Sequence, residues 1–513
     1  MAGNPQKPHG LDFQRTQALD GGTRTIREQI RQTLRSAPWI GVSVLLHVLG
    51  ILICFNIPWS TFLKCEAGKL SIAMEPDVIA LIPKEELPPP TTEVDKERLE
   101  AEEPLVEESV AEPPDEQAPA DPPLEGKRPN DVIGLGGGAG PGFGEKYRPR
   151  GKPLTGTASQ RAVDWGLDWL HRHQHEQGYW GAESFQDECA ETVCAGTGHT
   201  TCDVGVTGLA LLAFLGAGNT PSTGRYGAVV RKGLHWLKKS QGLEIDGLFG
   251  DRSGQYFMYN HAIATLATCE GYGLSHWPLL KEPAQDGLHF IAKARNPYEA
   301  WRYSYPATDR EEDNDVSVTG WMLFALVSGK DFGLQVDEAA LAAGSSFIDK
   351  MTDQRTWRTG YDRRGGWSAR EPADELRWPA ENGECMTAVA ILCRILLLED
   401  KTVEPDTIPA IKGGALLLGQ KTPEWTEGAI DYYYWYYGSY AMYQLSGWYW
   451  DKWQRAMEKA LIQNQAASGC EKGSWDPLVD PWGDVGGRVY ATALNVLSLE
   501  VYYRYDRIAG ARG

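Results

Sequence analysis

From about Ala158 onward, one pattern of apolar and polar positions repeats. Six stretches carry small and apolar residues on every side, often opened by Thr, such as Val206–Gly216 (VTGLALLAFLG) and Val318–Gly329 (VTGWMLFALVSG). Anchored on Thr207, Ala262, Thr319, Thr387, Ser439 and Ala491, they recur every 52 to 68 residues. That interval holds two helices and two loops. Each is preceded by a second pattern with apolar residues three and four apart and charge opposite, as in Ala162–Gln174 and Val230–Gln241. The second type reads as a surface helix with one buried stripe. The greasier type, apolar all round, reads as a buried helix. Alternation predicts an all-α domain over 158–513, an (α/α)6 toroid of six hairpins with inner helices lining a ring. An open solenoid is the alternative. Neither end has a distinctly polar capping pair, which favours closure.

Upstream the patterning changes. Ala37–Trp59 (APWIGVSVLLHVLGILICFNIPW) has no acidic residue, Lys or Arg. About 20 residues of helix cross a hydrocarbon core of roughly 30 Å. Trp39 and Trp59 stand where interfacial aromatics belong. A cleaved signal peptide would carry a shorter apolar core nearer the start. Arg24, Arg27, Arg31 and Arg35 precede the span, so the positive-inside rule keeps 1–36 cytoplasmic. The reading is a single-pass inner-membrane protein in contact with the lipid bilayer, its large domain periplasmic or otherwise extracytoplasmic. Residues 60–157 form a linker. Between Lys84 and Glu125 it carries 15 acidic residues, 3 basic residues and nine prolines, a composition that stays extended and solvated. Gly134–Gly144 (GLGGGAGPGFG) lacks the Lys-Ser/Thr of a phosphate loop and reads as a joint.

Charge narrows the partners. Acidic residues outnumber basic ones 69 to 50, a formal charge of -19. A nucleic-acid binder usually shows a basic face, so nucleic acid is excluded as the main partner. An envelope protein, peptide, glycan or isoprenoid fits the predicted location.

The segments Gln174–Trp180 (QHEQGYW) and, in part, Gln241–Gly250 (QGLEIDGLFG) resemble the repeat of squalene-hopene cyclases. More broadly, the chain resembles the α/α-toroid group of terpenoid cyclases, protein prenyltransferase β subunits and thioester domains. Tyr432–Trp453, Gly473–Pro477 and Trp482–Tyr505 look like bacterial members with prenyltransferase/squalene-oxidase repeats. The resemblance covers about residues 158–510 and implies the toroid. The group includes non-catalytic members, so it implies no single activity.

In a ring, inner-helix starts gather at one mouth. That places Tyr259, Asn260, His261, Asp313, Asp315, Glu384, Arg488 and Tyr490 near a shared rim, with Tyr259, Glu384, Arg488 and Tyr490 as candidate ligand contacts. The cyclases protonate an alkene with a DxDD motif. Laid on it, Glu312–Val318 (EDNDVSV) supplies Asp313 and Asp315, but Val316 replaces the last acid. Asp315 is then a candidate general acid, with helix capping as its structural alternative. His261 is a candidate base or ligand, or a hydrogen-bonded core histidine. Prenyl transfer needs an Asp/Cys/His zinc set. Cys385 beside Glu384 lacks the Asp-x-Cys order, and Val489–Leu494 (VYATAL) lacks the His. Asn382–Met386 (NGECM) is not a thioester element.

Cys189, Cys194, His199 and Cys202 lie together in the first inter-helix loop. Tetrahedral zinc, a disulfide with one cysteine spare, and free or separately buried thiols all fit this set, and either cross-link would order the loop. The reading is a membrane-anchored envelope binding or scaffold protein. The alternative is a divergent terpenoid-cyclase-like enzyme using an Asp acid on a membrane isoprenoid.

Overall fold

The computed structural model describes residues 158–504 apart from 191, 298 and 306–313, with side chains described to 501. The chain divides into two units, Met1–Val110 and Ala111–Gly513, and every described residue belongs to the second. The predicted span at 37–59, the linker at 60–157 and Asp313 lie outside the described residues. Among the described residues, no helix is long and apolar enough to cross a membrane.

Twelve α-helices alternate in type among the described residues, which contain no β-strand. The outer set is α1 (Ala158–Arg172), α3 (Gly227–Ser240), α5 (Lys281–Lys293), α7 (Glu338–Met351), α9 (Pro409–Gln420) and α11 (Gly447–Ile462). The inner set is α2 (Asp203–Gly216), α4 (Phe257–Ser275), α6 (Val316–Asp331), α8 (Cys385–Leu396), α10 (Tyr432–Leu445) and α12 (Gly483–Arg504). Burial separates them as the patterns predict. In α1 only one stripe is buried, including Ala162, Val163, Gly166, Leu167 and Leu170. In α2 every residue from Gly205 to Gly216 is buried. A helix covered on both faces must lie between other helices.

The inner helices pack in chain order, each on the next, and α12 packs back onto α2. Outer helix α11 likewise meets α1. The ring is therefore closed, and the open solenoid is excluded.

Three of the repeats are fastened by the same chemistry. The indole N–H groups of Trp180, Trp301 and Trp475 donate to the carbonyls of Leu170, Ile291 and Leu461 near the ends of the preceding outer helices, at 2.6, 2.8 and 2.8 Å. Thr207 Oγ1 accepts from the Trp180 amide at 2.9 Å and donates to its carbonyl at 3.2 Å. The inner-helix Thr thus satisfies backbone that the loop buries, which explains why Thr recurs there. Outer helices approach closely through glycine. A Cβ on Gly233 would lie 2.8 Å from Leu211, and one on Gly344 2.8 Å from Leu323.

Candidate functional site at the ring mouth

The inner-helix starts enclose a cavity of about 120 Å³ to which all six inner helices contribute. Val206 of α2, Tyr259 of α4, Ser317 and Trp321 of α6, Met386 of α8, Tyr433 of α10 and Tyr490 of α12 form its wall. Connecting segments add Tyr303, Tyr361, Ala369 and Trp482. The wall is mainly apolar and aromatic. Ser317 Oγ and the Tyr433 hydroxyl share a hydrogen bond of 2.7 Å. The Tyr490 hydroxyl, by contrast, is buried with no protein hydrogen-bond partner. Burial holds the hydroxyls of Tyr259 and Tyr490 well above the usual tyrosine range, so both stay protonated. Tyr490, unpartnered, can offer a ligand an O–H donor.

Asp315 stands behind this wall, fully buried. It is the N-cap of α6: Oδ1 accepts from the Val318 amide at 2.8 Å. Oδ2 lies 4.0 Å from Arg302 Nε, too far for a hydrogen bond. Burial pushes its carboxyl up to about 7, opposed by the Val318 N–H and by Arg302. The Tyr303 and Tyr361 hydroxyls hydrogen-bond each other. Burial, then the nearby Asp315 charge, raises Tyr303 to about 12 and Tyr361 above its usual range. Arg302 lies over both rings, 5.7 and 5.6 Å from their centroids.

The other sequence candidates occupy different places. His261 is held in the core: Nδ1 accepts from the Phe249 amide at 3.1 Å, and Nε2 donates to the Gly287 carbonyl at 3.1 Å. Both ring nitrogens are committed to backbone, and burial lowers its pKa to about 3. This corrects its assignment as a base or ligand. Glu384 is clamped by Arg358, whose Nε and Nη2 bond it at 2.7 to 3.1 Å. Its role is an ion pair at the start of α8, away from the cavity wall. Arg488 also leaves the mouth. It bonds the Ala195 carbonyl at 2.7 Å and Ser474 Oγ at 3.0 Å, tying the first and last inter-helix loops.

The predicted cysteine set changes membership. Cys189 and Cys194 meet His173 and Cys470, with one potential ligand atom from each within 4.8 Å of all the others. This His/Cys3 cluster could bind a metal. His199 and Cys202 do not join it. The His199 amide bonds the Val485 carbonyl at 2.8 Å, and Cys202 turns to the central cavity, where burial raises its thiol to about 11. The described cysteines are all free thiols, which corrects the disulfide alternative. Sequence reasoning missed His173 and Cys470 because they flank the loop from the end of α1 and from the far end of the domain. Ring closure was the signal: it makes the first and last inter-helix loops neighbours.

No family model matches the sequence, and a search of curated proteins finds no match. Solved structures give distant likenesses. An inactive variant of an α-1,6-mannanase from Salegentibacter sp., in complex with α-1,6-mannotriose, is 10% identical at TM-score 0.44, covering 68% of this chain and 99% of that one. A type II terpene cyclase from Scytonema, in complex with geranylgeranyl dihydroxybenzoate, is 13% identical at TM-score 0.41, covering 67% and 97%. A novel alpha-amylase from Clostridium perfringens is 12% identical at TM-score 0.41, covering 68% and 99%.

Proposed function

We propose that this chain is a membrane-anchored envelope binding protein. Its toroid captures an apolar or aromatic end group of a peptide, glycan or lipid in the tyrosine-lined mouth. Residues 37–59 anchor it, with the N-terminus cytoplasmic and the toroid on the outer side of the inner membrane. The observation that carries the reading is the cavity wall. Eight aromatic side chains face a space of about 120 Å³, and Tyr490 presents an unspent hydroxyl there. Small-molecule sites commonly pair apolar walls with a few placed polar groups. The volume is close to that of an engineered cavity of ~150 Å³ that holds benzene, and well below the roughly 300–1,000 Å³ of drug-sized sites. It suits an end group rather than a folded polyprenyl chain.

The terpenoid-cyclase-like reading has one observation in its favour, a buried carboxyl that titrates near 7. Against it, Oδ1 of Asp315 is occupied by helix capping, and the carboxyl stands behind Tyr303 and Tyr361. The wall tryptophans Trp321 and Trp482 report on occupancy. Titration with a phenylalanine-containing tripeptide, maltotriose and geraniol tests three ligand chemistries. At least one probe quenches or shifts the emission, and Ala369→Trp, which fills the mouth from a loop, abolishes the response. Equal binding by the filled variant excludes the mouth as the site. Turnover of a polyprenyl substrate that Asp315→Asn abolishes would replace binding with the cyclase reading.

A further inference from the structure

The His/Cys3 cluster lies apart from the mouth, and its geometry is that of a metal centre. His173 follows the last residue of α1, and Cys189 caps the short helical turn Ser184–Glu188. Cys194 lies farther along the same loop. Cys470 arrives from the loop between α11 and α12. The His173 Nε2 atom is 3.6 Å from Cys189 Sγ, 3.6 Å from Cys194 Sγ and 3.4 Å from Cys470 Sγ. Zinc bonds of ~2.3 Å to sulfur and ~2.05 Å to nitrogen, set at the tetrahedral angle, give an N···S edge of about 3.6 Å. Two of the three observed edges fall at that value and the third, at 3.4 Å, is slightly shorter.

The surroundings prepare the ligands. His173 Nδ1 donates to the Trp169 carbonyl at 2.8 Å, which leaves the Nε2 lone pair aimed at the three sulfurs. The Trp169 ring stacks on the imidazole with centroids 4.2 Å apart and fixes its plane. The Cys194 amide donates to Cys189 Sγ at 3.4 Å and fixes the position of that sulfur. Three thiolates around a divalent ion carry a net charge of about −1. The buried Arg488 guanidinium bonds the Ala195 carbonyl next to Cys194 and pairs with Glu471 at 2.9 Å, which ties the two loops together beside the cluster.

We infer that His173, Cys189, Cys194 and Cys470 hold one zinc ion that clasps the first inter-helix loop to the last and so locks the closed ring. Thiolate and imidazole donors in a tetrahedral set select zinc over magnesium or calcium. Four protein ligands leave no position for water or substrate, so the ion is structural. It joins segments at opposite ends of the domain, since Cys470 is 297 positions beyond His173. The backbone is shaped for the same junction. Gly487 interrupts α12 with φ 68°, and its neighbour Arg488 donates its amide to the Gly196 carbonyl at 2.9 Å. A Cβ at Gly487 would lie 2.7 Å from the Ala182 carbonyl oxygen.

Elemental analysis and native mass spectrometry of the purified full-length protein test the site. The expected result is one zinc per chain, lost in His173→Ala and Cys470→Ala but kept in His199→Ala and Cys202→Ala. Cobalt(II) exchanged into the wild-type protein gives the intense visible d–d bands and sulfur-to-metal charge transfer of a tetrahedral thiolate centre, a readout that needs no ligand variant to fold. Chelation raises hydrogen exchange jointly over residues 173–202 and 463–487, the two sides of the clasp. Metal-free wild-type protein that binds no cobalt, a mass two protons low, or zinc loss in Cys202→Ala equal to that in Cys470→Ala overturns the assignment. Exchange that rises on one side only retains the metal but overturns its role as a clasp.

Discussion

Replacing Asp315 by Asn isolates the cost of a buried carboxylate at the mouth. Asn accepts at a helix N-cap about as well as Asp, so the 2.8 Å bond from the Val318 amide survives. What disappears is the titration. In the folded protein Asp315 stays neutral up to about pH 7, while in the unfolded chain it ionises near 3.8. A raised folded value means that its contribution is fully present below the unfolded value and lost as pH rises through the folded one. Stability therefore falls between about pH 4 and 7 on account of this residue. A gap of about 3 pH units at ~1.4 kcal/mol each amounts to about 4 kcal/mol. Urea unfolding of wild type and Asp315→Asn at about pH 4, 6 and 8 measures it. The variant gains on wild type by a few kcal/mol across that range. The other raised carboxyls, Asp203 and Asp480, are common to both proteins and cancel in the difference. Parallel pH profiles would refute the reasoning. They would mean that Arg302, at 4.0 Å, already holds Asp315 as an anion.

Other expectations follow from the same packing. Gly233→Val drives a side chain into Leu211 and Trp180, and thermal unfolding should show a loss of about 1–3 kcal/mol. Tyr490→Phe removes a hydroxyl that has no protein partner, so stability holds or rises by up to about 1 kcal/mol while affinity for the responsive probe falls. A stability loss would show that the hydroxyl is satisfied within the fold. Deleting residues 37–59 should move the protein from the membrane fraction to the soluble one, and unchanged sedimentation with membranes contradicts the anchor.

The fold was legible because the two helix types differ in how many of their faces are apolar, and that difference is written in consecutive residues. Thr207, Thr319 and Thr387 marked inner-helix starts because their hydroxyls meet loop backbone amides there. The mouth was only partly legible. Tyr259 and Tyr490 line it, but His261, two positions after Tyr259, is turned into the α4–α5 seam by the Phe249 amide and the Gly287 carbonyl. Sequence position fixes where a residue sits along a helix, and neighbours fix which partner it finds. Tyr303 and Tyr361 come from connecting segments whose course no periodicity describes. The metal ligands show the same limit. A window around Cys189–Cys202 catches two of the four, because the other two are brought in by the end of α1 and by ring closure.

Closure is the claim on which the mouth and the clasp both rest, and energy transfer across the domain measures it directly. Arg161 on α1, Ala342 on α7 and Arg455 on α11 are exposed sites for fluorophores introduced through unnatural amino acids. Neighbouring helices lie about 10 Å apart. A closed ring gives stronger transfer for Arg161 with Arg455 than for Arg161 with Ala342, which sit on opposite sides. An open solenoid reverses that order, since its first and last hairpins become the most distant pair.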